Sequence, residues 1–360
     1  MSTESSDATG RRVTGRGGLR ALAIAYLSVF AALAAFAIAI VFLGNPHTGE
    51  PVVRLRIAPL PVVKHTTVPV AVATIESAPP TPRAPVSGAA PIYAGTELVA
   101  DPALIEVTER GPLPRIAPDG RMAMQAYAAP SGDSTKPRIA IVISGLGISA
   151  KATAAALAGL PPQITLAFAP YAADVQYWVT QARRQGHEVL LEVPMEPFDF
   201  SDSDPGLHTL RAGIGEGANI DRLVWALTRF TGYTGVTNLL GARLLSDPES
   251  LEPVLTYLTQ HGLLFFDNGG AARSAVPELA ARTGTAFAQS TSTIDSIQTA
   301  MEIDHQLSAL ENQARMHGGA SGSGYLYPLT IERVAQWSQG LDARGFVLVP
   351  ASAIVTAKKP

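Results

Sequence analysis

The stretch Arg138–Gly147, RIAIVISGLG, sets five consecutive apolar residues, Ile139 to Ile143, in front of Ser144, Gly145 and Gly147. A short, continuous, β-branched run that stops at turn residues is the pattern of a strand buried on both faces. Strands of that kind belong to parallel sheets, and the loops that follow their C-terminal ends carry the chemistry of such folds. Ser144 and Gly145 therefore mark the first place to look for function.

Downstream the same kind of run recurs: ITLAFAP (164–170), EVLLEVPM (188–195), GVTNLL (235–240), LLFFDN (263–268), AFAQSTS (286–292), a weak GGASGSG (318–324) and FVLVPA (346–351). Helical stretches lie between them, among them Asp174–Gln185, Ile220–Phe230, Pro248–Gln260, Ser274–Thr283, Ser296–Met316 and Thr330–Ala343. Strand followed by helix, repeated in this way, predicts a parallel sheet covered by helices, as a (β/α) barrel or a doubly wound sheet. Glycines at 186, 262, 284 and 345 stand where helices should stop.

Upstream the character changes twice. Residues 21–43 form an apolar run without a charge, long enough to cross a membrane as a helix. Arg11, Arg12, Arg16 and Arg20 precede it, so the positive-inside rule leaves 1–20 in the cytoplasm and sends the remainder across the membrane. The run is longer than a signal-peptide core and no A-x-A site closes it, which favours an uncleaved anchor. Residues 44–137 are punctuated by prolines, including Pro59, Pro61, Pro79, Pro80, Pro82 and Pro85, and read as an extended spacer. Within it, 101–129 mixes apolar anchors with turn residues and can lie along the domain that follows at 138–360.

Composition narrows the function. The formal charge of −3 offers no basic stripe for nucleic acid. Absence of cysteine excludes disulfides, thiolate zinc sites and a thiol nucleophile. Residues just after the strands are Ser144, Tyr171, Glu196, Asn238, Asp267 and Asp295. Of the histidines in this region, His208, in the loop after the third run, is the one placed to reach that face. A catalytic zinc takes three protein ligands as a rule, mostly histidine with a carboxylate. One histidine is available here; Glu196, Asp267 and Asp295 could hold a hard cation through oxygen or bond sugar hydroxyls instead. Plainer alternatives stand beside these: a strand-to-loop turn for Asp267, a helix N-cap for Asp295, and loop packing for His208. Ser144 lacks a G-x-S-x-G elbow and a base beside it in sequence. The pair Gly145, Gly147 lacks the third glycine of a dinucleotide fingerprint.

The order of these segments resembles the divergent polysaccharide deacetylase family, over about Leu104–Ile354. The pieces that carry the resemblance are LPPQITLAFAPYA, ARRQGHEVLLEVPMEPFDF, DPGLHTL, GVTNLLGARLLSD, LLFFDN, TIERVAQW and GFVLVPASAI. It implies a distorted (β/α) barrel, of seven strands, and an ancestral reaction in which a metal-bound water removes acetyl groups from N-acetylated sugars. This chain departs from the family pattern at three places. Paired acids after the first strand become Ser144 and Gly145; asparagine-asparagine-histidine becomes Thr237, Asn238 and Leu239; glycine-histidine-proline becomes Gly324, Tyr325 and Leu326. Positions retained are Glu196, His208, Asn238, Arg243, Asp267 and Asp295.

Three functions are compatible with this reading. The first is an envelope protein, anchored in a bacterial inner membrane with its C-terminal domain in the periplasm, whose barrel binds glycan or an envelope protein through Ser144, Tyr171, Asn238, Arg243 and Tyr325. The second is a deacetylase using a divalent metal such as zinc, with Glu196, His208, Asp267 and Asp295 as ligands or acid–base groups. The third is a non-catalytic scaffold. Glycan affinity and metal content separate them.

Overall fold

The computed structural model describes residues 100–132 and 135–355, together with Tyr26 and Val29. The expected anchor at 21–43 lies outside the described residues except for those two, both helical. Among the described residues no helix is long and apolar enough to cross a membrane.

The described chain opens with an antiparallel hairpin, β1 (Ile105–Thr108) and β2 (Gly111–Pro114), and a single helical turn, α1 (Ala123–Ala126). Leu104, Leu113, Ala117, Ala123 and Tyr127 from this part belong to the main hydrophobic core. The stretch 101–129 is thus packed into the fold by apolar burial. Arg183 lies over the Tyr127 ring at 4.9 Å and donates to its carbonyl at 3.0 Å.

A parallel sheet follows: β3 (Arg138–Leu146), β4 (Thr165–Phe168), β5 (Val189–Met195), β6 (Gly235–Leu240), β7 (Leu264–Asp267), β8 (Phe287–Gln289), β9 (Ser292–Thr293), β10 (Gly319–Tyr325) and β11 (Val347–Leu348). Its order is β8-β7-β6-β5-β4-β3-β10-β9, with β11 paired to the start of β3. The two ends of that order are one piece of chain. Residues 287–289 pair with β7, the Ser290 N–H donates to the Asp267 carbonyl, the Thr291 N–H donates to the Ser321 carbonyl, and 292–293 pair with β10. A parallel α/β sheet that meets itself in this way is consistent with the (β/α) barrel expected from the sequence. Taking 287–293 as one strand gives seven around it: β3 to β7, this strand and β10.

Between the strands run α2 (Ala150–Gly159), α3 (Val175–Arg184), α4 (Glu216–Leu227), α5 (Pro248–Gln260), α6 (Val276–Thr283), α7 (Ala300–His317) and α8 (Pro328–Gln339). Ser149, Asp247 and Thr299 cap α2, α5 and α7 through their side-chain oxygens. Ile139, Ile141 and Ile143 of β3 pack in the larger core under the helices, whereas Val142 belongs to a second cluster with Ala167, Leu190, Leu264, Phe266, Ala286, Ala288 and Ala351. Alternation along β3 therefore puts bulky residues under the helices and smaller ones inside the barrel, where converging strands leave less room.

Gly235 shows how tight that contact is. A Cβ placed there would lie 2.2 Å from the Leu264 carbonyl oxygen on the neighbouring strand. Gly235→Ala is expected to lower stability by about 3 kcal/mol through overpacking against backbone that cannot yield. Gly217→Ala in α4, where nothing lies within 4 Å of the added Cβ, is expected to be neutral or stabilising by up to about 1 kcal/mol. Urea-unfolding midpoints of the two variants against wild type measure the contrast.

Candidate functional site

The C-terminal end of β3 is bulged. Val142 and Ile143 face Thr165 and Leu166 in register, yet Leu146 faces Phe168, so one extra residue is accommodated around Ser144 and Gly145. Gly145 has φ +88°, which a residue with a Cβ adopts only under strain. The bulge turns the Gly145 N–H toward β5, where it donates to Glu192 Oε1 at 3.1 Å. The Ser144 side chain stands beside the same carboxylate and favours its ionised form.

Glu192 is 1 % exposed. Burial pushes its carboxyl up to about 7, against the two hydrogen bonds from Gly145 and Ser144 that favour the ionised form. On β6 its register partner is Thr237, whose buried hydroxyl has no partner. On β10 Tyr325 is the register partner of Ser144. Its phenol is pushed up to about 12, by burial first and then by the charges of Glu192 and Asp295.

Above this floor opens a cavity of about 210 Å³. Its polar wall is Ser144, Asn268, Thr293, Ser323 and Tyr325, with the Asp199 carboxylate at the rim; Pro197, Leu240 and Ala242 form an apolar side. The polar wall is braced from behind. Asn238 and Asn268 bond reciprocally: the Asn268 N–H donates to Asn238 Oδ1 at 2.9 Å, Asn238 Nδ2 donates to Asn268 Oδ1 at 2.8 Å, and Asn268 Nδ2 donates to the Asn238 carbonyl at 2.8 Å. Asn238 Nδ2 also donates to the Leu240 carbonyl at 2.6 Å, holding Leu240 at φ +59°. A left-handed leucine is held at a cost of order 1–3 kcal/mol, and here it forms part of the cavity wall.

The nine residues singled out from the sequence fall into separate groups. Ser144 and Tyr325 line the cavity, and Asn238 braces it. Asp295 sits behind Tyr325, accepting from the Tyr325 N–H at 2.7 Å and the Thr330 hydroxyl at 2.8 Å, while its Oδ1 is buried without a partner. Burial raises its carboxyl above the usual range. It does not cap α7, whose N-cap is Thr299. Asp267 accepts from the Gly269 N–H and Gln289 Nε2, which is the turn role. Glu196 accepts from the Ala212 N–H at 2.8 Å and lies 3.6 Å from both Arg211 and Arg243, so it ties down the loop after β5.

His208 and Tyr171 lie elsewhere. His208 stacks on Trp225 of α4 with ring centroids 3.7 Å apart, and the Tyr171 hydroxyl accepts from the His208 N–H. His208 and Trp225, with Arg110, Asp221 and Arg222, border an open cavity of about 460 Å³ beside the hairpin. The expectation that His208 would join Glu196, Asp267 and Asp295 is corrected: the stack on Trp225 holds it apart from them.

Among the described residues no three His, Asp or Glu side chains converge in a way that could hold a metal. At the strand ends where the family's ligands would stand, the donors are a serine, a glycine, a leucine and a tyrosine, and the one carboxylate at the floor is engaged by Ser144 and Gly145. This donor set does not fit a three-ligand zinc site.

Fold and site together are those of a parallel α/β barrel whose strand ends carry a hydroxyl- and amide-lined cavity. The chain belongs to the divergent polysaccharide deacetylase family, which matches residues 141–355. A crystal structure of an uncharacterized protein from Agrobacterium tumefaciens C58 is 38% identical, covering 68% of this chain and 99% of that one with a TM-score of 0.67. Uncharacterized protein YibQ of Escherichia coli K12 is 25% identical over 235 residues, 65% of this chain and 72% of its own. An uncharacterized protein of Haemophilus influenzae is 28% identical over 195 residues, 54% of this chain and 68% of its own.

Glu192 itself was not among the residues singled out from sequence. The signal was present: Glu188, Glu192 and Glu196 recur every fourth residue through a strand, so all three share one face. Its raised carboxyl sets a pH dependence of stability. The folded value of about 7 exceeds the ordinary 4.5, so the protonated group contributes stability below about pH 4.5 that is lost as pH rises to 7. Glu192→Gln, which stays neutral, is expected to gain about 3 kcal/mol on wild type between pH 4.5 and pH 8. Denaturant unfolding of both proteins at the two pH values measures it.

Proposed function

We propose that this chain is a membrane-anchored envelope protein whose barrel holds glycan at its mouth and does not carry out metal-dependent deacetylation. What supports the reading above all is the character of the cavity: hydroxyl and amide groups with the Asp199 carboxylate on one side, Pro197, Leu240 and Ala242 on the other. Sugar rings carry both hydroxyls and apolar C–H faces, and such a two-sided wall matches them. At about 210 Å³ the cavity is smaller than the roughly 300–1,000 Å³ of drug-sized ligand sites, which suits one sugar unit at the end or side of a chain. The strand-end donor set removes the support for the family's ancestral reaction.

The expected experiment uses the full-length protein in detergent. Chitotetraose, an N-acetylated sugar oligomer, is expected to bind saturably without stoichiometric zinc and without acetate release. Ala242→Trp, which fills the cavity from a partly exposed position, is expected to weaken binding at least tenfold with the thermal midpoint unchanged. Stoichiometric zinc with acetate release would establish the deacetylase instead, and no binding at all would favour the scaffold.

Anchoring rests on the apolar run 21–43 and the four arginines before it. Because the chain has no cysteine, single replacements report topology directly. In intact spheroplasts a membrane-impermeant maleimide is expected to label Ser131→Cys and to leave Ser5→Cys unlabelled. The reverse pattern would refute the periplasmic placement.

A further inference from the structure

The floor of the mouth has two features that glycan binding alone does not explain. Glu192 is almost wholly buried yet faces the inside of the barrel, on the same sheet face as Thr237, whose buried hydroxyl has no partner. Between Glu192 and the cavity stands Ser144, which touches both. A hydroxyl has one hydrogen to give and two lone pairs with which to accept. What Ser144 offers to the cavity therefore depends on what Glu192 asks of it.

With Glu192 ionised, the carboxylate accepts from the Gly145 N–H and can accept from the neighbouring Ser144 hydroxyl, in which case Ser144 presents only lone pairs to a ligand. With Glu192 protonated, its O–H can donate to Ser144 Oγ, which frees the serine hydrogen to turn into the cavity. One oxygen of the acid still accepts from Gly145. No covalent bond changes; one proton is taken from solvent by Glu192 and returned on ionisation.

We propose that Glu192 and Ser144 form a two-state hydrogen-bond relay, in which protonation of Glu192 converts Ser144 from acceptor to donor and so favours an uncharged sugar bearing an amide carbonyl. The relay rests on the reading of the mouth as a glycan site. Burial brings its titration near neutrality, within reach of ordinary changes in pH. Asp199, on the loop after β5, lines the same cavity as Ser144. Strand β6 brings Thr237 to this level, β4 brings Ala167 opposite Leu190 below it, and β10 brings Tyr325, whose raised phenol stays neutral throughout. Asp295 stands behind Tyr325 and is the second carboxyl whose charge acts on it.

Two measurements on the full-length protein test this. In carbon-13 NMR of the ligand-free protein labelled at glutamate carboxyls, one carboxyl is expected to titrate near neutrality, to vanish in Glu192→Gln and to shift upward in Ser144→Ala. In calorimetry, chitotetraose is expected to bind at least fivefold more tightly at pH 5.5 than at pH 8.5, with proton uptake near pH 7. Glu192→Gln, whose amide can donate to Ser144 at every pH, is expected to hold the tighter affinity at both, which also sets aside Asp295. Absence of a near-neutral carboxyl, equal wild-type affinity at both pH values, or pH dependence persisting in Glu192→Gln overturns the relay while the glycan site stands. Failure of chitotetraose to bind at either pH overturns the glycan reading and the relay together.

Discussion

A buried carboxyl must find hydrogen-bond partners or give up its charge, and strand β5 places three of them along one face of a barrel strand. Glu188 at the lower end accepts from the Ser352 N–H and hydroxyl, the Thr165 hydroxyl and the Ala129 N–H. It thereby pins the C-terminal segment and the chain before β3 to the base of the barrel. Glu192 in the middle engages the bulge of β3. Glu196 at the top gathers Ala212, Arg211 and Arg243, and its carbonyl accepts from the N–H groups of Arg243 and Leu244. The base, floor and rim of the barrel are each organised by a different solution to the same problem.

The solutions differ because the partners differ. Glu188 and Glu192 are both raised by burial, but Glu188 has four donors to oppose it and Glu192 has two. Glu196 has arginines within reach. Of the three, the acid with the fewest partners is the one beside the cavity. Lower in the barrel, partners are supplied by chain that only has to be anchored, whereas at the mouth any further donor would fill the cavity.

Much of the fold was legible because the strands are apolar on both faces and the helices are capped by residues with one local function. Gly186, Gly262, Gly284 and Gly345 all take positive φ where helices were expected to end. The weak GGASGSG run proved to be β10, beside β3. Its lack of bulk has a packing cause invisible in the local sequence: a Cβ at Gly322 would lie 2.7 Å from Leu310 of α7, and one at Gly324 would lie 2.8 Å from Ile294. Helix α2, AKATAAALAG, escaped the list of helical stretches because its small residues give little contrast between a buried and an exposed face.

The site was less legible, since its chemistry depends on partners distant in sequence. Nothing around Gly145 announces a carboxylate forty-seven residues on, and Glu192 within LLEVPM passes for part of an apolar strand until its face is fixed by register. His208 was placed correctly on a loop at the strand ends, but a loop residue can turn toward the mouth or away from it, and Trp225 on α4 decides that.

The departures from the family pattern are therefore more than a loss. The bulge at Ser144 and Gly145, the Asn238–Asn268 pair and the left-handed Leu240 keep a shaped mouth at considerable conformational cost. A barrel that had merely decayed would have no reason to hold a strained leucine or an under-partnered acid at that place, since relaxing either would stabilise it. The cost falls at the cavity wall and floor, and the base of the barrel, with four donors on Glu188, shows that this fold can satisfy a buried acid fully elsewhere.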